Sequence, residues 1–267
     1  MKKFFYSLVL LLVTVTLSAQ DEIIIPSPQY LKTSDTVWVR TPANMDAAKK
    51  YPVVFLMHGH GGSYKDYLRD TKFQDVADRY EFILVSPHGA KDCWYIDQPN
   101  PEEMQFESYF FNQLIPEIDK RYPTDTENRF ITGFSMGGHG AMWLFLQRPE
   151  YFRSAGSSSG VLELRFSGAV EGSLKRILGD YNKGANKHFH DYSCINHLEN
   201  IAGSDKYIYF DCGTEDHLYG SALLFRERCD ILNVKARSLM MPGKHDGPYF
   251  DEAFYLHFDF FQKRLNK

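Results

Sequence analysis

Cysteine is scarce in this chain: four in 267 residues, Cys93, Cys194, Cys212 and Cys229, none at the close paired spacing of a zinc site. A disulfide scaffold or zinc ribbon is thereby excluded, and a chain of this length must rely on a buried core. An even count permits disulfides without demanding them, and Cys212, ending an apolar run, and Cys229, in a helical pattern, read as buried free thiols. Neither sign of charge dominates either. Thirty Lys and Arg stand against 34 Asp and Glu, a formal net charge of −4, which leaves no basic surface for nucleic acid. No block of like charge, internal repeat or low-complexity tract is present. Apolar runs long enough for a membrane span are missing too. The longest, the mostly apolar stretch from Phe4 to Leu17, falls short of the roughly 20 residues a span needs.

That run has a different meaning. Met1-Lys2-Lys3 precedes it and Ser18-Ala19-Gln20 follows it, giving the basic start, apolar middle and small-residue end of a secretory signal peptide, although Gln at the cut is unusual. We therefore expect residues 1–20 to be removed, leaving a secreted or periplasmic chain of residues 21–267 with no stable membrane span.

What the remaining chain has in quantity is alternation of strand and helix. Thr36–Arg40 alternates as a strand, and Tyr51 to His58 and Phe82 to Pro87 are continuous apolar runs of the kind buried on both faces of a parallel sheet. Further strands are expected at Arg129–Thr132, Lys206–Asp211 and Lys235–Met241, and helices at about 66–79, 107–121, 138–148, 221–232 and 248–264. This order predicts one α/β domain with a mostly parallel central sheet and helices on both faces. Residues 161–204, with weak helical pieces broken by Gly and Asn, read as an insertion able to cover a site. Aromatics make up 15% of the chain and are spread along it, as core or cleft wall.

Ligands in such sheets sit beyond the carboxyl ends of the strands, and the chemistry-bearing residues fall there. Gly133-Phe134-Ser135-Met136-Gly137 fits Gly-x-Ser-x-Gly between an expected strand and an amphipathic helix ended by Pro149. This is the context in which a serine is held on a strained turn with its hydroxyl projecting. A serine hydroxyl needs a neighbouring base, itself oriented by a carboxylate, and in this topology the order is Ser, acid, His. The segment after the Lys206–Asp211 strand offers Asp211, Glu215 and Asp216, of which we take Asp216; the loop after the last strand offers His245. His217 is a rival base, but it adjoins Asp216, and neighbouring side chains are not expected to face each other. An oxyanion requires two backbone donors: the amide of Met136, and one from His58-Gly59-His60-Gly61-Gly62, best supplied by His60. No further ligand is spaced to complete a metal site with His58 and His60, and His188, His190 and His197 match no metal motif. No metal or organic cofactor is expected.

Taken together, Gly133 to Ala141, the His58–Gly62 loop, Cys212-Gly213-Thr214-Glu215-Asp216 and Gly243-Lys244-His245-Asp246 resemble the esterase D/antigen 85 group of α/β-hydrolases. That group holds S-formylglutathione hydrolases, mycolyltransferases, and feruloyl and acetylxylan esterases. The resemblance covers nearly all of residues 21–267. It implies an α/β-hydrolase fold, Ser135 as nucleophile, Asp216 as acid, His245 as base, and the amides of His60 and Met136 as oxyanion donors. Ser135-Met136-Gly137-Gly138-His139-Gly140-Ala141 is similar to the formylglutathione hydrolases, whereas Trp94-Tyr95-Ile96-Asp97 is similar to a segment flanking the site in secreted bacterial esterases. On that resemblance Trp94, Tyr95 and His139 are candidate substrate-binding residues. The implied substrate is a small-molecule or oligosaccharide ester.

Overall fold

A computed structural model describes residues 20–46, 48–67, 72–168 and 170–266; residues 1–19 of the expected signal peptide lie outside them. The strands are β1 (Gln20–Ser27), β2 (Thr33–Arg40), β3 (Tyr51–Met57), β4 (Ile83–Pro87), β5 (Thr124–Gly133), β6 (Ser154–Ser158), β7 (Tyr207–Gly213) and β8 (Lys235–Met241). They form one sheet in the order β1-β2-β4-β3-β5-β6-β7-β8. The β1–β2 and β2–β4 pairings are antiparallel and the other five are parallel. The helices are α1 (Lys72–Tyr80), α2 (Phe106–Tyr109), α3 (Ile115–Arg121), α4 (Met136–Gln147), α5 (Ser173–Leu178), α6 (His188–Asp191), α7 (Tyr219–Ile231) and α8 (Gly247–Gln262). A π-helical turn, Phe110–Leu114, joins α2 to α3. Pro116 stands at the start of α3 and cannot donate to the preceding turn, which accounts for the widened step.

β3 shows why the sheet is covered on both faces. Val53, Phe55 and Met57 enter one apolar core with residues of α2, α3, α4 and α7, while Val54 and Leu56 enter a second with residues of α1 and α8. Successive side chains of a strand alternate between faces, so an unbroken apolar run needs two cores.

Two strands escape the periodicity argument. β1 carries Ile23, Ile24 and Ile25 in succession; Ile23 and Ile25 are buried and Ile24 is 64% exposed, as on an edge strand with one covered face. β6, Ser-Ala-Gly-Ser-Ser, has no large apolar residue, yet all five positions are buried. A side chain at Gly156 would run into the His257 ring, so the strand is small because α8 packs directly onto it. The helix expected from residue 66 is a 3₁₀ turn, Tyr64–Asp66, followed by α1, with residues 68–71 outside the described residues. All four cysteines are buried free thiols.

Asp35, on β2, is buried and accepts the Gly89 N–H at 2.9 Å and the Tyr109 O–H at 2.8 Å, anchoring the chain that leads from β4 toward Trp94. Burial pushes its carboxyl up to about 6 in spite of these donors. A carboxyl raised in the folded state favours the protonated form, so its contribution is largest at or below the unfolded pKa and declines as the pH rises to about 6. The unfolding free energy of the wild type relative to Asp35→Asn should therefore fall by roughly 2 kcal/mol between pH 4 and 6.5 in urea titrations. A difference that stays flat with pH would contradict this.

Candidate active site

Ser135 sits between β5 and α4 with φ 57° and ψ −122°, a left-handed conformation that costs a non-glycine residue about 1–3 kcal/mol. Its neighbours leave it no alternative. A Cβ at Gly133 or at Gly137 would drive into the carbonyl of Met57 at the end of β3, so strand and helix pass too closely for any side chain. The Ser135 amide donates to Ser158 O at 2.9 Å, tying the turn to β6. α4 itself is not amphipathic, as the sequence suggested, but buried from Met136 to Leu146. Its outer side is covered by the 161–204 segment, where Asn200 Nδ2 donates to Leu146 O at 2.9 Å and Cys194 Sγ lies 3.5 Å from His139 O.

The turn after β7 and the loop after β8 are bound to each other: Thr214 N donates to Met241 O and Glu215 N to Gly243 O, both at 2.9 Å. Asp246, at the end of the second loop, caps α8 by accepting the Tyr249 N–H. This fastening brings three side chains into series. His245 Nε2 lies 2.8 Å from Ser135 Oγ, and His245 Nδ1 lies 2.8 Å from Asp216 Oδ2. Asp216 Oδ1 accepts the Leu218 N–H at 2.8 Å. Burial alone would raise the Asp216 carboxyl, but hydrogen bonds from His245, the Leu218 amide and Ser159 outweigh it and hold the group below its ordinary value.

The other two carboxylates lie elsewhere. Asp211 is buried beneath the site, bonded to His257 Nε2 at 2.7 Å, Ser158 Oγ at 2.8 Å and the Tyr249 hydroxyl at 2.9 Å. Glu215 is exposed beside Lys244. Contrary to the sequence-based expectation, His217 does face its neighbour, with Nδ1 3.3 Å from Asp216 Oδ1. The tight turn swings both side chains to the same side, and the His217 and His245 rings meet edge to face with centroids 4.8 Å apart.

Ser135 opens into a cavity of about 370 Å³ lined by His60, Trp94, Met136, Val161, Ser167, Gly168, Gly172, Ser173, His217 and Leu218. His60 and Met136 line this cavity with Ser135, and among the described residues neither amide donates to a backbone group outside the helices and strands. Five of the lining residues belong to the 161–204 segment, a contribution its weak periodicity gave little means of reading. Ser173, at the start of α5, joins the walls: its Oγ accepts the Trp94 indole N–H at 2.9 Å and lies 3.1 Å from His60 Nε2.

Two of the candidate substrate-binding residues need correction. Tyr95 is wholly buried, with its hydroxyl on His58 O at 2.9 Å, and His139 is wholly buried between the carbonyls of Trp94 (3.2 Å) and Tyr192 (3.0 Å). Burial lowers the His139 imidazole to about 4. Both lie beneath the cavity wall and support Trp94, which alone of the three borders the cavity. Trp94 and Tyr95 both adopt left-handed φ, 56° and 62°. His188, His190 and His197 approach nearby loop groups, namely Leu178 O, the Asp191 carboxylate and Asp191 O. Among the described residues the donor set suited to a metal ion is Asp216, His217 and His245, within 4.8 Å of one another, and His245 is already committed to Ser135 and Asp216.

A half-buried serine on a strained strand-to-helix turn, over an eight-stranded mostly parallel sheet, defines an α/β-hydrolase architecture. The family model described as "Putative esterase" matches residues 29–259, and the chain belongs to that family of esterases. It is 27% identical to the acetyl esterase of Caldicellulosiruptor saccharolyticus over 67% of this chain and 69% of that protein. It is 23% identical to the S-formylglutathione hydrolase of Arabidopsis thaliana over 83% of this chain and 84% of that protein. A solved ferulic acid esterase shares the fold with a TM-score of 0.78 and 22% identity, over 92% of this chain and 98% of that one.

The double role of Ser173 gives a first test of the site's construction. Ser173→Ala would strip the buried Trp94 N–H of its acceptor, which should lower stability by about 1–3 kcal/mol in chemical denaturation. Ser173→Thr, which keeps the hydroxyl, should lose less.

Proposed function

We propose that the protein is a secreted serine carboxylic-ester hydrolase that works through an acyl-enzyme. The observation carrying this reading is the unbroken series Ser135–His245–Asp216, with 2.8 Å at both links, opening on a cavity that His60 and Met136 also line. In the proposed mechanism Ser135 Oγ attacks the ester carbonyl carbon as its proton passes to His245 Nε2. Asp216, kept ionised by its donors, holds the imidazole and balances the imidazolium. The carbonyl oxygen, now negative, accepts from the amides of Met136 and His60. Collapse of the tetrahedral species breaks the bond to the alcohol oxygen, which takes the proton from His245. Water then attacks the acyl-enzyme with His245 as base, releasing the acid and restoring Ser135.

For substrate, the reading that best joins these features is an acyl or feruloyl ester of a plant polysaccharide fragment. Trp94 offers an aromatic wall in the cavity, and relatives of the chain are named acetyl esterase and feruloyl esterase. A short-chain acyl or thioester hydrolase is the second reading, favoured by the similarity over most of both chains to an S-formylglutathione hydrolase. Export rests on the N-terminal pattern of residues 1–20. Among the described residues no helix is long and apolar enough to cross a membrane.

His245→Ala should lower kcat at least roughly a thousandfold with folding intact, and a fluorophosphonate probe should label Ser135 of the wild type. Full activity in the variant, or an unlabelled wild type, would refute the mechanism. Among acetyl, butyryl and feruloyl esters with and without an attached xylose or arabinose, the sugar-bearing esters should have the higher kcat/KM. Equal rates would count against the polysaccharide reading.

A further inference from the structure

One ionisable side chain at the cavity has no part in the mechanism above. His217 lines the cavity with Ser135, and its side chain is 59% exposed. Its Nδ1 lies 3.3 Å from Asp216 Oδ1, the carboxylate oxygen that His245 leaves unused. One buried carboxylate therefore stands beside two imidazoles. An exposed histidine is most often only a solvated side chain, but this one borders the cavity and packs its ring on that of His245. A neutral imidazole carries a lone pair on one ring nitrogen, and that nitrogen can accept a hydrogen bond.

The placement of that acceptor is informative. His245 is the group that returns a proton to the departing alcohol, and the His217 ring packs edge to face on the His245 ring. His217 thus stands beside the alcohol half of a bound ester, while Trp94, His60 and Ser173 form a hydrogen-bonded wall of their own.

Resting on the serine-esterase reading, we infer that His217 selects the alcohol half of the substrate. Its unprotonated ring nitrogen accepts from a free hydroxyl next to the ester oxygen, so the site favours esters of polyols. Esters of simple alcohols, and thioesters with no neighbouring hydroxyl, present nothing to donate there.

The test compares monoacetylglycerol with ethyl acetate, which share an acyl group and differ in the free hydroxyls. The wild type should show the higher kcat/KM on monoacetylglycerol. His217→Phe keeps a ring but removes both nitrogens, and should reduce that preference up to about tenfold, chiefly through KM. His217→Gln, which restores an acceptor oxygen, should recover part of it. A His217→Phe variant that lowers both rates by the same factor would overturn the inference, since the ring would then act only through Asp216 and His245. So would a wild type that does not distinguish the two esters. Fluorophosphonate labelling of the same preparations separates the failures: a labelled Ser135 with an unchanged preference removes only the role of His217, and an unlabelled Ser135 removes the esterase mechanism beneath it.

Discussion

The closest backbone approach at the site is the passage of Gly133 and Gly137 over the Met57 carbonyl, and the site depends on it. With no room for a Cβ on either glycine, β5 must turn sharply into α4 where it clears β3. Ser135 absorbs that turn by taking a left-handed φ. A strained serine persists only where its surroundings over-determine it, and here they do: its amide is fixed to Ser158, and α4 is buried along most of its length. The projecting hydroxyl follows from packing between sheet and helix.

That constraint places the serine, but the imidazole that bonds to it comes from a loop more than a hundred residues later in the chain. The sheet order supplies the distance and the loop hydrogen bonds the precision. β5, β6, β7 and β8 are consecutive neighbours, so the turns following β5, β7 and β8 emerge along one edge. The paired bonds from Thr214 and Glu215 to the His245 loop lock two of them together. Asp246 closes the arrangement by capping α8 immediately after His245. Local capping thus helps set the position of a residue whose contacts, Ser135 and Asp216, lie far from it in the chain.

The sequence made legible whatever is encoded by spacing between neighbours in the chain. Continuous apolar runs gave β3 and β4, and the Gly-bounded loops gave Ser135, Asp216, His245 and the His60 segment. The order of strands and helices gave the sheet class. Features that depend on what lies across the sheet were not readable. β6 was not among the expected strands because its smallness answers the His257 ring of α8, and β1 carries an unalternating Ile23-Ile24-Ile25 beside the expected cleavage point. Tyr95 and His139 were read as cavity residues, yet aromatic and imidazole groups serve equally well as bonded filler under a wall. His217 was set aside on a rule about neighbouring side chains that a tight turn overrides.

Beneath the site lies a second His–Asp pair with a different task. Asp211 and His257 are both inaccessible to solvent, and they link β7, α8, β6 through Ser158 and β5 through Thr132, whose hydroxyl lies 2.7 Å from His257 Nδ1. Burying such groups in place of apolar side chains is at best neutral for stability, and the geometry they impose is the more plausible return. Each partner belongs to an element that carries part of the site: Thr132 precedes the elbow, the Ser158 carbonyl holds the Ser135 amide, Asp211 precedes the acid's turn, and α8 begins at the base's loop. An apolar core would let these four elements slide by fractions of an ångström at little cost. A network whose every bond must be satisfied does not, and two contacts of 2.8 Å from three separate loops are held only where the elements beneath them are rigid.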